Sequence, residues 1–302
     1  MKVNLYIPTL NGGQRFLKLV EALAQQTLPL QTRVVIDSGS TDGTIEAATA
    51  CGFEVMGLDG NGFDHGGTRQ SAIARYPDAD IYILLTQDAV PANPSALANI
   101  VQAFTDPQVG MAYGRQLPHP GATLLERHAR QFNYPEETQV RGLGDAQKYG
   151  IKTISCSNSF AAYRRAAFEK VSGFPLGTIM GEDVITAGKL LLNGWKMVYA
   201  ADACVYHSHD YRIREEFERY FDIGVFHSDN RWIFDTFGRA GSEGVRYAKS
   251  EINYVSRRNP LYLPKVLCSF AAKWLGYKLG LSYRSLPPRL RKAFSMYKGY
   301  WK

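Results

Sequence analysis

Short, nearly unbroken apolar runs alternate with amphipathic stretches at the start of the chain. VNLYIP (3–8), RVVID (33–37), FEVMGL (53–58) and DIYILL (80–85) are rich in Val, Ile, Leu and Tyr, and helical patterns over 13–26, 41–50 and 65–76 separate them. A strand with one wet face alternates apolar and polar residues, so runs this continuous predict strands covered on both faces. Strand and helix in turn read as successive βαβ units on a parallel sheet. In such sheets the loops that follow the strands are the default ligand positions.

Residues 116–152, which include Pro118, Pro120 and Pro135, predict a long irregular excursion with one short helix. Regular structure is expected to resume at KTISCSNSF and to continue through a helix over 182–193 and strands near 196–200 and 203–207. Beyond Tyr211 the pattern is helical. The expected organisation is one α/β domain over 1–210 and a helical, basic extension over 211–302.

With 45% hydrophobic and 12% aromatic residues, 302 residues can bury a full core. Cys51, Cys156, Cys204 and Cys268 lack C-x-x-C spacing, so neither a disulfide framework nor a zinc cluster is expected. The N-terminal MKVNLYIPTLN does not read as an export signal, and a cytoplasmic location is expected. The net charge of +7 is unevenly spread: 257–302 hold eleven Lys/Arg and no Asp/Glu, leaving 24 basic against 28 acidic side chains elsewhere. That argues for a local anionic partner surface rather than a nucleic-acid-binding body. No apolar run is long enough to span a bilayer. Val266, Leu267, Phe270, Trp274 and Tyr277 fall on one side of an expected helix, with Lys265, Lys273 and Lys278 off that stripe. Such a segment suits peripheral contact with an anionic membrane, here the inner face of the cytoplasmic membrane; the rival reading is a helix packing its stripe on the domain.

Several loops carry chemistry. IDSGSTDGT (36–44) ends the second expected strand and supplies a tight turn whose Asp and Ser acceptors could hold a base or ribose before capping the next helix. FDHGGTRQ (63–70) puts glycines, a Thr cap and Arg69 at a helix start, where free N–H groups favour an anion. LLTQDAVP (84–91) ends the fourth strand, and Asp88 there offers a hard oxygen to Mg²⁺ or Mn²⁺. MGEDVITAGKLLLNGW (180–195) opens a helix with the acids Glu182 and Asp183. VYHSHDY (205–211) sets His207 and His209 on one side of a strand.

IPTLNG (7–12) together with IDSGSTDGT resembles the opening of family 2 glycosyltransferases of the GT-A fold, over roughly residues 3–210. The resemblance implies a Rossmann-like, mostly parallel central sheet, and nucleotide contacts for Pro8, Thr9, Asp37, Ser40 and Asp42. HGGTR resembles the H-G-x-T-R element of bacterial rhamnosyltransferases of that family, which implies donor roles for His65, Gly66 and Arg69 and thymidine diphosphate L-rhamnose (dTDP-L-rhamnose) as donor. The family's Asp-x-Asp metal pair corresponds to Gln87-Asp88-Ala89, so Asp88 is the implied metal ligand, with His207 first and His209 second as a late histidine ligand and Arg69 as partial substitute. The Glu-Asp pair resembles the family's base motif, implying Asp183 as base and Glu182 as an acceptor-orienting residue. The Q-x-x-R-W element of processive members is missing, which implies addition of one sugar to a saccharide or lipid-linked acceptor.

A nicotinamide-dependent oxidoreductase would need G-x-G-x-x-G where this chain has LNGGQRF, and a P-loop kinase is excluded because no G-x-x-x-x-G-K-[ST] occurs. The rival from another class is a non-catalytic GT-A scaffold in a membrane polysaccharide assembly.

Overall fold

The structure, a computed structural model, describes residues 1–58, 62–238 and 243–301. The N-terminal half runs β1 (Val3–Thr9), α1 (Gly13–Ala24), β2 (Thr32–Asp37), α2 (Thr44–Ala50), β3 (Glu54–Gly57), α3 (His65–Arg75), β4 (Ile81–Leu85), β5 (Val90–Pro91), α4 (Ala96–Gln102) and β6 (Val109–Leu117). Then follow α5 (Leu124–Asn133), β7 (Gln139–Arg141), α6 (Ala146–Tyr149), β8 (Phe160–Arg164), α7 (Arg165–Lys170), α8 (Glu182–Leu192) and β9 (Lys196–Tyr206). Among the described residues the chain then runs through α9 (Ile213–Asp229), α10 (Trp232–Phe237), α11 (Glu243–Arg258), α12 (Leu263–Leu281) and α13 (Pro288–Phe294).

The strands form one sheet in the order β3-β2-β1-β4-β8-β6-β9-β5, with β7 also on β9. Pairings from β3 to β4 and between β6 and β9 are parallel, while β8, β5 and β7 run antiparallel to their neighbours. This is the α/β sheet with flanking helices that the apolar runs predict. Their continuity has the expected cause: Leu5, Ile7, Ile81, Ile83 and Leu85 pack on α1 and α4, while Tyr6, Tyr82 and Leu84 point into the opposite layer with α3, α8 and α9. On α1 the buried residues Phe16, Leu19, Val20 and Leu23 follow the helical repeat.

Three expectations change. Residues 116–152 are mostly regular: β6 runs to Leu117, a Thr123/Glu126 capping box starts the ten-residue α5, and β7 joins the sheet. The prolines sit between these elements rather than marking one long loop. The two strands expected near 196–200 and 203–207 are the single β9, whose register against β6 shifts between Gly114 and Arg115. The helix expected over 41–50 starts at Thr44, because Asp42 turns back to bond the Thr44 N–H and hydroxyl.

The terminal helices share the core of the sheet. Phe221, Val225 and Phe226 of α9 and Ile233 and Phe237 of α10 lie in the same buried cluster as Tyr6, Tyr82 and Tyr163. Helix α12 lies backbone to backbone on α9: a Cβ on Gly280 would sit 2.1 Å from the Phe221 carbonyl oxygen, and one on Gly224 would sit 2.4 Å from that of Tyr277. The predicted stripe on α12 is therefore split. Val266 is fully buried and Phe270 and Tyr277 half-buried, but Leu267 and Trp274 stay about 60% exposed (59% and 63%). Lys273, expected off the packing side, turns inward and pairs with Glu216 of α9 at 3.0 Å.

Candidate active site

Six chain segments carry the predicted residues. Thr9 ends β1 beside Asp37 at the end of β2, in register. Asp37 accepts bonds from the Thr9 hydroxyl (3.1 Å), the Ser40 hydroxyl (2.5 Å) and the Gly39 and Ser40 N–H groups (2.8 Å each). Burial alone would raise its pKa, but these donors hold it below the usual range. Pro8 is buried within β1 and contributes backbone shape. Ser40 and Asp42 serve the loop first: the Ser40 hydroxyl accepts from Asn11 N–H and Asp42 accepts from Gly13 N–H, both at 2.8 Å.

Gln87, which stands where the family places a metal carboxylate, is used differently. Its amide accepts the Leu10 N–H at 2.9 Å and donates to the Leu10 carbonyl at 3.1 Å, fastening the loop after β4 to the loop after β1. A carboxylate could accept there but not donate.

Next to it, Asp88 meets the two predicted histidines. Its oxygens lie 3.5 Å from His207 Nε2 and 3.8 Å from His209 Nε2, and the two Nε2 atoms are 3.1 Å apart. The pairing of Val90 with Tyr206 brings these loops together. His207 is buried, and its Nδ1 lies 2.9 Å from Gln116 Oε1. Because a carbonyl oxygen only accepts, that contact puts a proton on Nδ1 and turns Nε2 toward Asp88. Burial, reinforced by His207, pushes His209 down to about 4, so it is neutral at physiological pH. Asp88 is held below the carboxylate range by the two histidines, against the effect of burial. A carboxylate oxygen and two imidazole nitrogens within 4.8 Å of one another could hold a cation, and one oxygen with two nitrogens suits Mn²⁺ better than Mg²⁺. Gln116 is the outer-shell partner that such histidine ligands require.

The acid pair sits at the start of α8. Thr86, two residues before Asp88, donates its N–H to the Ser159 carbonyl, and the adjacent Asn158 gives its N–H to Asp183 Oδ2 at 3.0 Å. Asp183 Oδ1 accepts from Val184 N–H at 2.8 Å. Glu182 turns the other way, to Asn158 Nδ2 at 2.9 Å and to Arg69 at 3.3 Å, with both charged side chains about 95% buried (5% and 6% exposed). Arg69 also donates to the His65 carbonyl at 2.7 Å. It is therefore committed to Glu182, and the structure does not bring it to Asp88. Burial is the main influence on each acid: it raises Asp183 to about 7, with Glu182 adding to the rise, while Arg69 and His65 overcome it to keep Glu182 charged. Asp183 retains partial exposure, so a hydroxyl can reach it.

His65 and Gly66 begin α3 against α8. A Cβ on Gly66 would lie 1.9 Å from the Pro175 carbonyl oxygen, so glycine is required for this close approach. His65 is depressed by burial and faces Tyr297 from the far end of the chain, with ring centroids 5.3 Å apart.

Sequence reasoning missed Gln116, Asn158 and Tyr297. Gln116 lies in β6, a strand that the apolar pattern did not single out, and Asn158 acts across 24 residues of chain without a motif.

The mostly parallel α/β sheet with flanking helices fits the GT-A fold. Residues 5–172 match the glycosyl transferase family 2 model. The chain is 48% identical over 302 residues to the O-antigen chain rhamnosyltransferase RfbN of Salmonella typhimurium, covering 100% of this chain and 96% of that protein. It is 45% identical to the O-antigen chain rhamnosyltransferase WbaN of Salmonella anatum, covering 98% and 95%. Among solved structures, the mannosyltransferase PcManGT from Pyrobaculum calidifontis, in complex with GDP-Man and Mn²⁺, superposes with a TM-score of 0.58 at 20% identity over 99% of this chain and 84% of that one. S. aureus TarS 1–349 in complex with UDP-GlcNAc gives 0.55 at 18% identity, over 94% and 92%. The chain belongs to glycosyl transferase family 2, and it is a glycosyltransferase.

Proposed function

We propose that this enzyme transfers one L-rhamnose, with inversion, from dTDP-L-rhamnose to a saccharide or lipid-linked acceptor in bacterial surface polysaccharide synthesis. The observation that carries the reading is Asp183, a carboxyl raised by burial and left without a cation, on a chain 48% identical to an O-antigen chain rhamnosyltransferase. Asp183 takes the proton of the acceptor hydroxyl as that oxygen bonds to the anomeric carbon. The bond from that carbon to the diphosphate breaks on the opposite face, and the nucleotide diphosphate leaves. Glu182, neutralised by Arg69, fixes Asn158, which in turn orients Asp183. Asp37, Ser40 and Thr9 shape the nucleotide pocket, and His65 and Gly66 shape the wall formed by α3 against α8. Asp88, His207 and His209 would hold Mn²⁺ or Mg²⁺, which when bound supplies positive charge to the leaving diphosphate.

The test is incubation with dTDP-L-rhamnose and, separately, uridine and guanosine diphosphate sugars, with Mn²⁺ or Mg²⁺, following sugar transfer and nucleotide release. Faster transfer from another donor would sink the rhamnose assignment. Transfer by Asp183→Asn at the wild-type rate would place the base elsewhere.

Peripheral membrane contact at the cytoplasmic face belongs to the same reading. Among the described residues no helix is long and apolar enough to cross a membrane, but Leu267, Trp274 and Leu275 leave an apolar face on α12 within an acid-free segment. Leu267→Ser/Trp274→Ser should weaken co-sedimentation with phosphatidylglycerol vesicles, and unchanged binding would refute the contact.

A further inference from the structure

Several cations near the C-terminal end have partners. Lys265 faces Asp210 at 3.8 Å, Lys273 faces Glu216 at 3.0 Å, and Arg284 faces Asp229 at 2.9 Å. Arg291 folds onto the carbonyls of Leu286 and Arg284 at 2.8 and 2.9 Å. Three others lie together. Arg289 and Lys292 on α13 and Lys298 beyond it line one recess of about 390 Å³ with Arg214 from the head of α9. Arg214 pairs with Glu218 at 2.9 Å, but the side chains of Arg289, Lys292 and Lys298 have no ion-pair partner among the described residues. No carboxylate lines the recess. Like charges gathered without an acid repel one another in the free protein, and a polyanion relieves that repulsion.

The frame of the recess is anchored. Phe294 packs edge-on against Phe217 and Phe221, at 5.4 and 5.9 Å between ring centroids. Asp222 accepts the Met296 and Tyr297 N–H groups at 3.0 Å each. The Tyr297 hydroxyl donates to the Phe63 carbonyl, and its ring lies against His65. One wall of the recess is therefore tied to the head of α3, and the other, Arg214, follows His209 by five residues.

We propose that this recess binds the phosphate or diphosphate ester joining the acceptor saccharide to its lipid, so that the anchor is held beside the cleft while the sugar faces Asp183. Arg and Lys groups around a phosphate form charge-assisted bonds, and arginine does so in fork geometry. The proposal rests on the transfer reading above.

The test compares the full chain with Arg289→Gln/Lys292→Gln/Lys298→Gln and with Lys18→Gln/Lys170→Gln/Lys249→Gln, which removes the same charge from exposed positions elsewhere. Thermal unfolding checks that both variants fold. Two acceptors are used in detergent, one a saccharide on a lipid diphosphate and the other the same saccharide as a phosphate-free glycoside. Inorganic pyrophosphate binding is titrated with a chelator present. The recess variant should raise KM for the diphosphate acceptor about 10- to 100-fold, as the sum of several exposed charge contacts. Its kcat, and KM for the phosphate-free acceptor, should stay at wild-type values, pyrophosphate binding should weaken, and the control variant should match wild type. An unchanged KM for the diphosphate acceptor overturns the proposal, as does an equal loss in the control. Loss of phosphatidylglycerol vesicle binding alone, with KM unchanged, overturns it in favour of a headgroup site. A wild-type chain that transfers to neither acceptor refutes the transfer reading instead, and the pyrophosphate titration then decides whether the recess is an anion site.

Discussion

At the head of α8, burial and the neighbouring Glu182 push Asp183 up to about 7, whereas in the loop after β4 His207 and His209 hold Asp88 below the carboxylate range although burial opposes them. Both are aspartates at the same edge of the sheet. They differ in what stands beside them: Arg69, whose charge reaches Asp183, is paired with Glu182, while Asp88 faces two imidazoles. One site thereby suits a proton and the other a metal ion. Identical side chains acquire different chemistry from charges committed or uncommitted a few ångströms away.

The strongest way to break the comparison is Asp183→Asn. The loss of a general base should lower kcat by about 10²–10⁴-fold while donor binding persists, read as sugar transfer and donor affinity. A variant within a few-fold of wild type would place the base elsewhere. Arg69→Met should come next. It strands Glu182 as a buried unpaired charge, at a cost of about 3–5 kcal/mol in unfolding free energy, measured by denaturant titration. Arg69→Met/Glu182→Leu should recover most of that loss, because an apolar pair tolerates burial. If the double variant is no better than the single one, charge compensation is not what Arg69 provides.

Gln116→Leu probes the other end more gently. Without an acceptor for its Nδ1–H, His207 can turn or change tautomer, and Mn²⁺ affinity should fall about 10- to 100-fold with the ligands intact. Spin-resonance titration of Mn²⁺ reads this directly. Undiminished affinity would mean that packing alone fixes the ring.

The difference between the two ends also explains what the sequence could reveal. Asp37, Asp88, Asp183 and His207 lie in strand-end and helix-start strings whose local chemistry is legible without contacts. Their partners are not: Gln116 reaches His207 across 91 residues and Asn158 reaches Glu182 across 24. The commitment of Arg69 to Glu182 likewise arises only when α3 meets α8. On α12, helical spacing gave a stripe, but close backbone contact through Gly224, Gly276 and Gly280 rotates Lys273 inward and leaves Leu267 and Trp274 outside. Amphipathic periodicity cannot anticipate a helix that packs through its glycines.

The smallest effect is a slope in pH, and it separates the two aspartates most directly. With Asp183 near 7, its carboxyl is protonated below that pH and cannot accept the acceptor's proton, so kcat/KM should fall about tenfold per pH unit below 7 and level off above. Stability should run the other way. The folded chain keeps a proton that an ordinary carboxyl at 3.8 has lost, so this group's contribution is complete below 3.8 and disappears as pH rises through about 7. Asp88, lowered rather than raised, contributes at neutral pH and loses its contribution only as acid protonates it. The stability difference between wild type and Asp183→Asn should therefore decline from pH 5 to about 7 in denaturant titrations, and the same decline should persist when both chains also carry Asp88→Asn. If Asp88→Asn removes it instead, the two environments have been assigned to the wrong carboxylates.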